Sequence, residues 1–320
     1  MTLPAPPPQS LLELERAGID AQLTPPVLIA RPARQTIPLV FCSPHSGREY
    51  LGAFLGASRL NALSLRRSED AYVDRLFAPA VQYGAPLLAA RFPRAYLDVN
   101  REPYEFDPRL IEGPLPPSAN LQSARVAGGL GTVPRLVADG EDIYPGRLPA
   151  SVALQRIDRL YHPFHQALGS LLAETHRQFG IALLVDCHSM PSISSGNSGS
   201  GNSGAGQAGS HRPHFVIGDR FGTSCAPQIT RTVTRALGNW GYDVSANRPY
   251  AGGFITEHYG RPHERVHAIQ IEINRALYLT EASLEPSANY DAFASVIEGL
   301  IGALAAMSET WLGPRRIAAE

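Results

Sequence analysis

Four apolar, strand-like runs lead into residues able to do chemistry, which is where ligands bind in an open α/β sheet. IPLVFCS (37–43) runs into Ser43-Pro44-His45-Ser46-Gly47, AYLDVN (95–100) into Asp98-Val99-Asn100-Arg101, IALLVDC (181–187) into Asp186-Cys187-His188-Ser189, and AIQIEI (268–273) carries Gln270 and Glu272. His45 and His188 could converge on one metal ion with a carboxylate. Two histidines, one carboxylate and an open fourth position form the ligand set with which zinc brings a bound water toward pKa ~7. Glu49, Asp70 and Asp74 are the candidate carboxylates. Taken singly, each histidine reads as a hydrogen-bonded core residue, and Asp70 and Asp74 as acids early in a helix. Alternation along AIQIEI sets Gln270 and Glu272 on one face and the isoleucines on the other, so a carboxylate enters a packed layer and needs a partner. That partner is an arginine in the plainer reading, and a cation or a catalytic duty in the other. Asn100 with Arg101 offers an amide beside a planar guanidinium, suited to gripping a carboxylate, and Arg94 just upstream is a second cation for a developing oxyanion. Without that context both are solvated surface arginines.

These groups require a scaffold of strands alternating with helices. Helical spacing marks 70–83, a long helix from about 151 to 179 stopped by Gly180, 227–237 and 290–307; strand-like runs add 86–91, 95–100 and 215–218. The pattern predicts an α/β fold, a mixed, mainly parallel central sheet flanked by helices. Residues 1–35, rich in proline, read as an irregular N-terminal arm, and 36–312 as a single α/β domain interrupted by a flexible Gly/Ser-rich insertion at 192–210. His162, His165 and His176 read as solvated residues of the long helix.

Composition removes several alternatives. All 28 basic residues are arginine, which excludes Schiff-base, pyridoxal-phosphate, P-loop and protein-kinase chemistry, since each needs a lysine amine. A net charge of −1 argues against a nucleic-acid or polybasic membrane partner. No uninterrupted apolar run approaches the ~18 residues of a bilayer span, so the expectation is a cytoplasmic protein with no membrane partner. Cys42, Cys187 and Cys225 lack metal or disulfide spacing and read as buried small hydrophobes. Ser46 and Ser189 each adjoin a histidine, but neighbours on an extended chain face opposite ways, and neither serine lies in G-x-S-x-G.

The ordered segments SPHSGREY, EDAYVDRLF, RFPRAYLDVNREP, LLVDCHSM, GDRFGTSCAP, NRPYAGGFITEHYGRP and VHAIQIEINRALY resemble those of the N-formylglutamate amidohydrolases, across about 38–279. The resemblance implies a zinc carboxypeptidase-like fold, akin to that of the aspartoacylases in the phosphorylase/hydrolase-like group. It also implies one zinc per chain, or another divalent ion, held by His45, Asp70 and His188, with Glu49 as competitor for the third place. Glu272 matches the general base, Arg94 the carbonyl-polarising arginine, and Asn100 with Arg101 the pair that holds the substrate carboxylate. The expected reaction removes a formyl or short acyl group from an N-acyl amino acid, N-formyl-L-glutamate by analogy, with histidine degradation as the associated pathway. Other N-acyl amino acids or small peptides on the same site form one alternative, and a non-catalytic amino-acid-binding module another.

Overall fold

A computed structural model of the chain describes residues 9–137, 140–192 and 213–311. In chain order its strands are β1 (Val27–Ala30), β2 (Leu39–Ser43), β3 (Leu87–Ala90), β4 (Ile111–Glu112), β5 (Leu148–Pro149), β6 (Ala182–Met190), β7 (Phe215–Gly218), β8 (Val244–Ala246), β9 (Val266–Asn274), β10 (Leu279–Thr280) and β11 (Glu285–Pro286). The helices are α1 (Leu11–Gln22), α2 (Gly52–Ala57), α3 (Ala62–Arg66), α4 (Val73–Leu76), α5 (Ala124–Ala127), α6 (Ala150–Arg156), α7 (His162–Phe179), α8 (Pro227–Asn239), α9 (Phe254–Tyr259) and α10 (Tyr290–Glu309).

Seven strands form the central sheet in the order β1-β3-β2-β6-β9-β7-β8. β3, β2, β6 and β9 run parallel, β1 is antiparallel on one edge, and β7, antiparallel to β9, carries β8. This is the mixed, mainly parallel α/β sheet that the sequence predicts. β6 and β9 are buried along all nine residues, as strands covered on both faces must be. On one face Leu183, Val185, Cys187, Ile269, Ile271 and Ile273 pack against α8 and α10. On the other, Ala182, Leu184 and Ala268 share a core with Val40, Cys42 and α7. Toward the carboxyl ends this second face turns polar: Leu184 gives way to Asp186 and His188, and Ala268 to Gln270 and Glu272.

The long helix is present from α6 through α7 and ends at Gly180, whose φ of 69° is a left-handed cap; a π turn at Ile157–Tyr161 interrupts it. Three expectations change. From residue 9 onward the N-terminal segment is not irregular, because Ser10 and Glu13 form a capping box that starts α1, and β1 pairs with β3. The 70–83 helix shortens to α4 and a 3-10 turn, Ala78–Val81, because Pro79 supplies no N–H to continue an α ladder. Residues 95–100 form turns rather than a strand: Tyr96 N–H donates to Pro93, Asp98 N–H to Thr132, and Asn100 N–H to the Asp98 side chain. Asp98 through Arg101 therefore lie in the connection after β3. The predicted insertion at 192–210 lies outside the described residues beyond Ser192. By length and hydropathy alone α10 could cross a membrane, but Phe293, Ile297, Leu300, Ile301 and Leu304 pack it onto the sheet.

Candidate metal centre and active site

His45 lies in the turn just beyond β2. Gly47 allows that turn to press on the backbone after β3, since a Cβ there would sit 2.0 Å from the Phe92 carbonyl oxygen. The His45 carbonyl in turn accepts the Asp70 N–H at 2.9 Å, which delivers Asp70 to the sheet end. His188 stands near the end of β6, in register with Glu272 on β9, so both side chains leave the same face.

The three expected ligands converge. Ligand atoms of His45, Asp70 and His188 lie within 4.8 Å of one another, and all three residues are buried. The imidazole centroids are 4.9 Å apart. Asp70 Oδ2 sits 3.4 Å from His45 Nδ1 and 3.0 Å from His188 Nδ1. Each imidazole has a second acid behind it: His45 Nε2 is 2.8 Å from Asp98 Oδ1, and His188 Nε2 is 3.0 Å from Asp186 Oδ1. A carboxylate behind each histidine, with both Nδ1 atoms turned inward, is the arrangement that orients imidazoles toward a cation. His45 Nδ1 is buried without a hydrogen-bond partner among the described residues, a lone pair left for a cation. The N, O, N donor set fits one divalent ion.

Burial would raise the Asp70 pKa, but the His188 hydrogen bond and the His45 imidazole beside it hold it well below its ordinary value. For His188, burial opposes the charge, yet Asp186 and Asp70 drive its pKa well above 6.5. Arg275 fixes Asp70 from behind: its NH2 donates to Asp70 Oδ1 at 3.2 Å and to the Glu69 carbonyl at 2.6 Å, and its Nε to Ser189 Oγ at 3.1 Å. Glu272 is 8% exposed and accepts from Gln270 Nε2 at 2.9 Å. Burial pushes its pKa to about 7, with Asp70 and Asp186 adding to the rise and His188 and Arg94 opposing it.

The other candidates divide. Glu49 takes both its oxygens to Arg91 at 2.8 Å, and Asp74 faces Arg48; neither belongs to the His45, Asp70 and His188 cluster. Arg94 donates from Nε to Asp98 Oδ2 at 3.0 Å, its one side-chain hydrogen bond among the described residues, and is 29% exposed. Burial alone would lower its pKa, and Asp98 and Asp70 more than offset that. Asn100 and Arg101 adjoin the cluster with their polar groups engaged inside the protein. Asn100 Oδ1 accepts Ile255 N–H at 2.8 Å and its Nδ2 lies 3.4 Å from His188 Nε2; Arg101 donates to the carbonyls of Leu130 and Asn100 and faces Asp98. Burial lowers the Arg101 pKa to about 10. The expectation of a solvated His165 is overturned. This side chain bridges the Val99 carbonyl at 2.9 Å and Tyr259 Oη at 3.0 Å, and burial pushes its pKa down to about 3. Asp98, Asp186, Arg275 and Gln270 received no role from sequence. Asp186 and Gln270 share a strand face with His188 and Glu272, two residues before each, which is the signal that alternation offered.

A mixed α/β sheet with a buried N, O, N cluster and an acid at its carboxyl edge defines a hydrolase-type scaffold whose donor set fits a metal ion. Comparison with known proteins makes this specific. The family model "N-formylglutamate amidohydrolase" matches residues 37–279, and the chain belongs to that family of amidohydrolases, which cleave a carbon–nitrogen amide bond. The N-formylglutamate deformylase of Pseudomonas aeruginosa is 29% identical over 251 residues, 78% of this chain and 84% of that protein. The Pseudomonas putida protein of the same name is 27% identical over 248 residues, 77% of this chain and 83% of its own. The crystal structure of N-formylglutamate amidohydrolase from Ralstonia eutropha JMP134 superposes with a TM-score of 0.81 at 33% identity, covering 89% of this chain and 99% of that one.

Proposed function

We propose that this chain is a zinc-dependent deformylase that hydrolyses N-formyl-L-glutamate to formate and L-glutamate. The observation that carries the reading is the convergence of His45, Asp70 and His188 within 4.8 Å, beside a Glu272 in register with His188. In this reading His45 Nδ1, Asp70 Oδ2 and His188 Nδ1 hold the ion. The chemistry such an ion supplies is Lewis acidity, which acidifies water and polarises a carbonyl.

The chain's own groups do the rest. Glu272, ionised, takes a proton from the attacking water, and its pKa near 7 leaves it able to return that proton to the leaving amine. Arg94, partly exposed, meets the oxyanion that develops as the formyl carbonyl becomes tetrahedral. Asn100 and Arg101, engaged as they are, act by holding the Asp98–Arg101 connection and α9 in place. Beyond its contacts to Leu130, Asn100 and Asp98, the Arg101 guanidinium keeps an N–H on each terminal nitrogen for the substrate carboxylate grip expected of that pair. Three buried free thiols suit a reducing, cytoplasmic setting.

Formate release from N-formyl-L-glutamate, before and after chelation and zinc return, tests the assignment. Activity lost on chelation and restored by zinc supports it; a rate indifferent to both overturns the metal. Equal turnover of N-acetyl-L-glutamate would overturn the formyl preference.

A further inference from the structure

We propose that Asp98 is a two-sided positioning residue whose single carboxylate sets both the metal ligand His45 and the oxyanion arginine Arg94. The side chain is 2% exposed and faces four donors. Oδ1 meets His45 Nε2 at 2.8 Å and the Asn100 N–H at 2.9 Å. Oδ2 accepts from Arg94 Nε at 3.0 Å and lies 3.4 Å from Arg101 NH2. On the first side, a proton held on Nε2 leaves the Nδ1 lone pair for the ion, so the carboxylate selects the His45 tautomer. On the second, it fixes the Nε edge of Arg94 and so aims the rest of the guanidinium. One acid therefore gives the ion and the anion-stabilising cation a common reference point.

The two sides separate chemically, which makes the idea testable. An isosteric asparagine carries one acceptor and one donor in place of two acceptors. With its oxygen toward His45 and the Asn100 amide, both of those bonds survive, and its NH2 confronts Arg94 Nε and Arg101 NH2, donor against donor. Alanine removes both sides at once.

The inference rests on the proposed zinc site and on the oxyanion role of Arg94. Zinc affinity, read by competition with a chromophoric chelator, and kcat/KM at saturating zinc are to be measured for wild type, D98N, D98A, R94M and D98N/R94M. Thermal unfolding of each metal-free protein serves as the control for folding. D98A is expected to weaken zinc binding by about 10–100-fold, and D98N by less than about tenfold. D98N and R94M should lower kcat/KM by similar factors, and the double variant should fall no further than either single one, because both remove the same contact. Equal zinc loss in D98N and D98A, unchanged zinc affinity in D98A, or multiplying losses in the double variant each overturns the proposal. Wild-type protein that binds no zinc or releases no formate defeats the underlying reading instead, so the two failures are distinguishable.

Discussion

Glu272 is buried in a packed layer beside Asp70 and Asp186, and its raised pKa follows from that crowding. A base must be ionised to act, so kcat/KM should rise with pH along an acid limb whose midpoint lies at or below about 7, since a nearby bound cation only favours the carboxylate. Replacing Glu272 with Gln is expected to remove that limb and lower kcat by about 10²–10⁴-fold while zinc still binds. A pH–rate profile paired with metal content checks both parts. His188 gives a prediction of opposite kind. Its pKa, held high by Asp186 and Asp70 against burial, means that the metal-free protein keeps a proton there which zinc must displace. Zinc affinity should therefore increase with pH until the folded-state pKa is passed, with proton release seen by calorimetry in buffers of different ionisation heat. The same shift stabilises the metal-free fold fully below pH 6.5, and that contribution is lost as pH rises through the folded pKa.

Among the elements, the irregular connection after β3 and the short helix α9 do the positioning that strands usually do. Asn100 accepts the Ile255 N–H, Gly253 N–H donates to Gln270 Oε1, and a Cβ on Gly253 would lie 2.4 Å from the Asn100 amide. Gly253→Ala should displace Asn100 from beside His188 and cost about 1–3 kcal/mol, as overpacking does. Chemical denaturation reads the loss, and a lowered kcat at saturating zinc reads the displacement. The π turn belongs to the same assembly, because Tyr161 Oη donates to the Arg101 carbonyl at 2.6 Å and His165 reaches the Val99 carbonyl. Periodicity found the long helix but could not show the extra residue in its turn. Its half-buried histidine was read as solvated for a related reason: a 3.6-residue repeat gives a side chain's face and says nothing about which loop covers it.

Across the whole molecule, α1 lies outside the matched family region of 37–279 yet ties to the candidate site. Glu15, 0% exposed, pairs with Arg156 at 2.5 Å and accepts from Tyr96 Oη at 2.7 Å, and Arg156 donates to the Tyr96 carbonyl at 3.1 Å. Tyr96 sits between Arg94 and Asp98, so the buried pair anchors the connection that carries both. Glu15→Gln would leave an uncompensated guanidinium in the core and should cost about 3–5 kcal/mol, while a joint change of Glu15 to Leu and Arg156 to Met recovers most of it. Equilibrium unfolding in urea compares the two.

Sequence by itself determined the buried central strands β2, β6 and β9, because runs such as IALLVDC leave no face for water, and it marked the candidate ligand types, because polar residues at the carboxyl ends of apolar strands gather where ligands bind. It left Glu49, Asp70 and Asp74 as rivals. Only tertiary structure decided among them, since the choice turns on the Asp70 amide reaching the His45 carbonyl and on Arg91 claiming Glu49. The outer acids Asp98 and Asp186, the half-buried, hydrogen-bonded His165 and the anchor at α1 were decided there too. Asp98 meets His45, His165 meets Val99 and Tyr259, and Glu15 meets Arg156 far along the chain, and a distance between two such residues comes into being only when the chain folds.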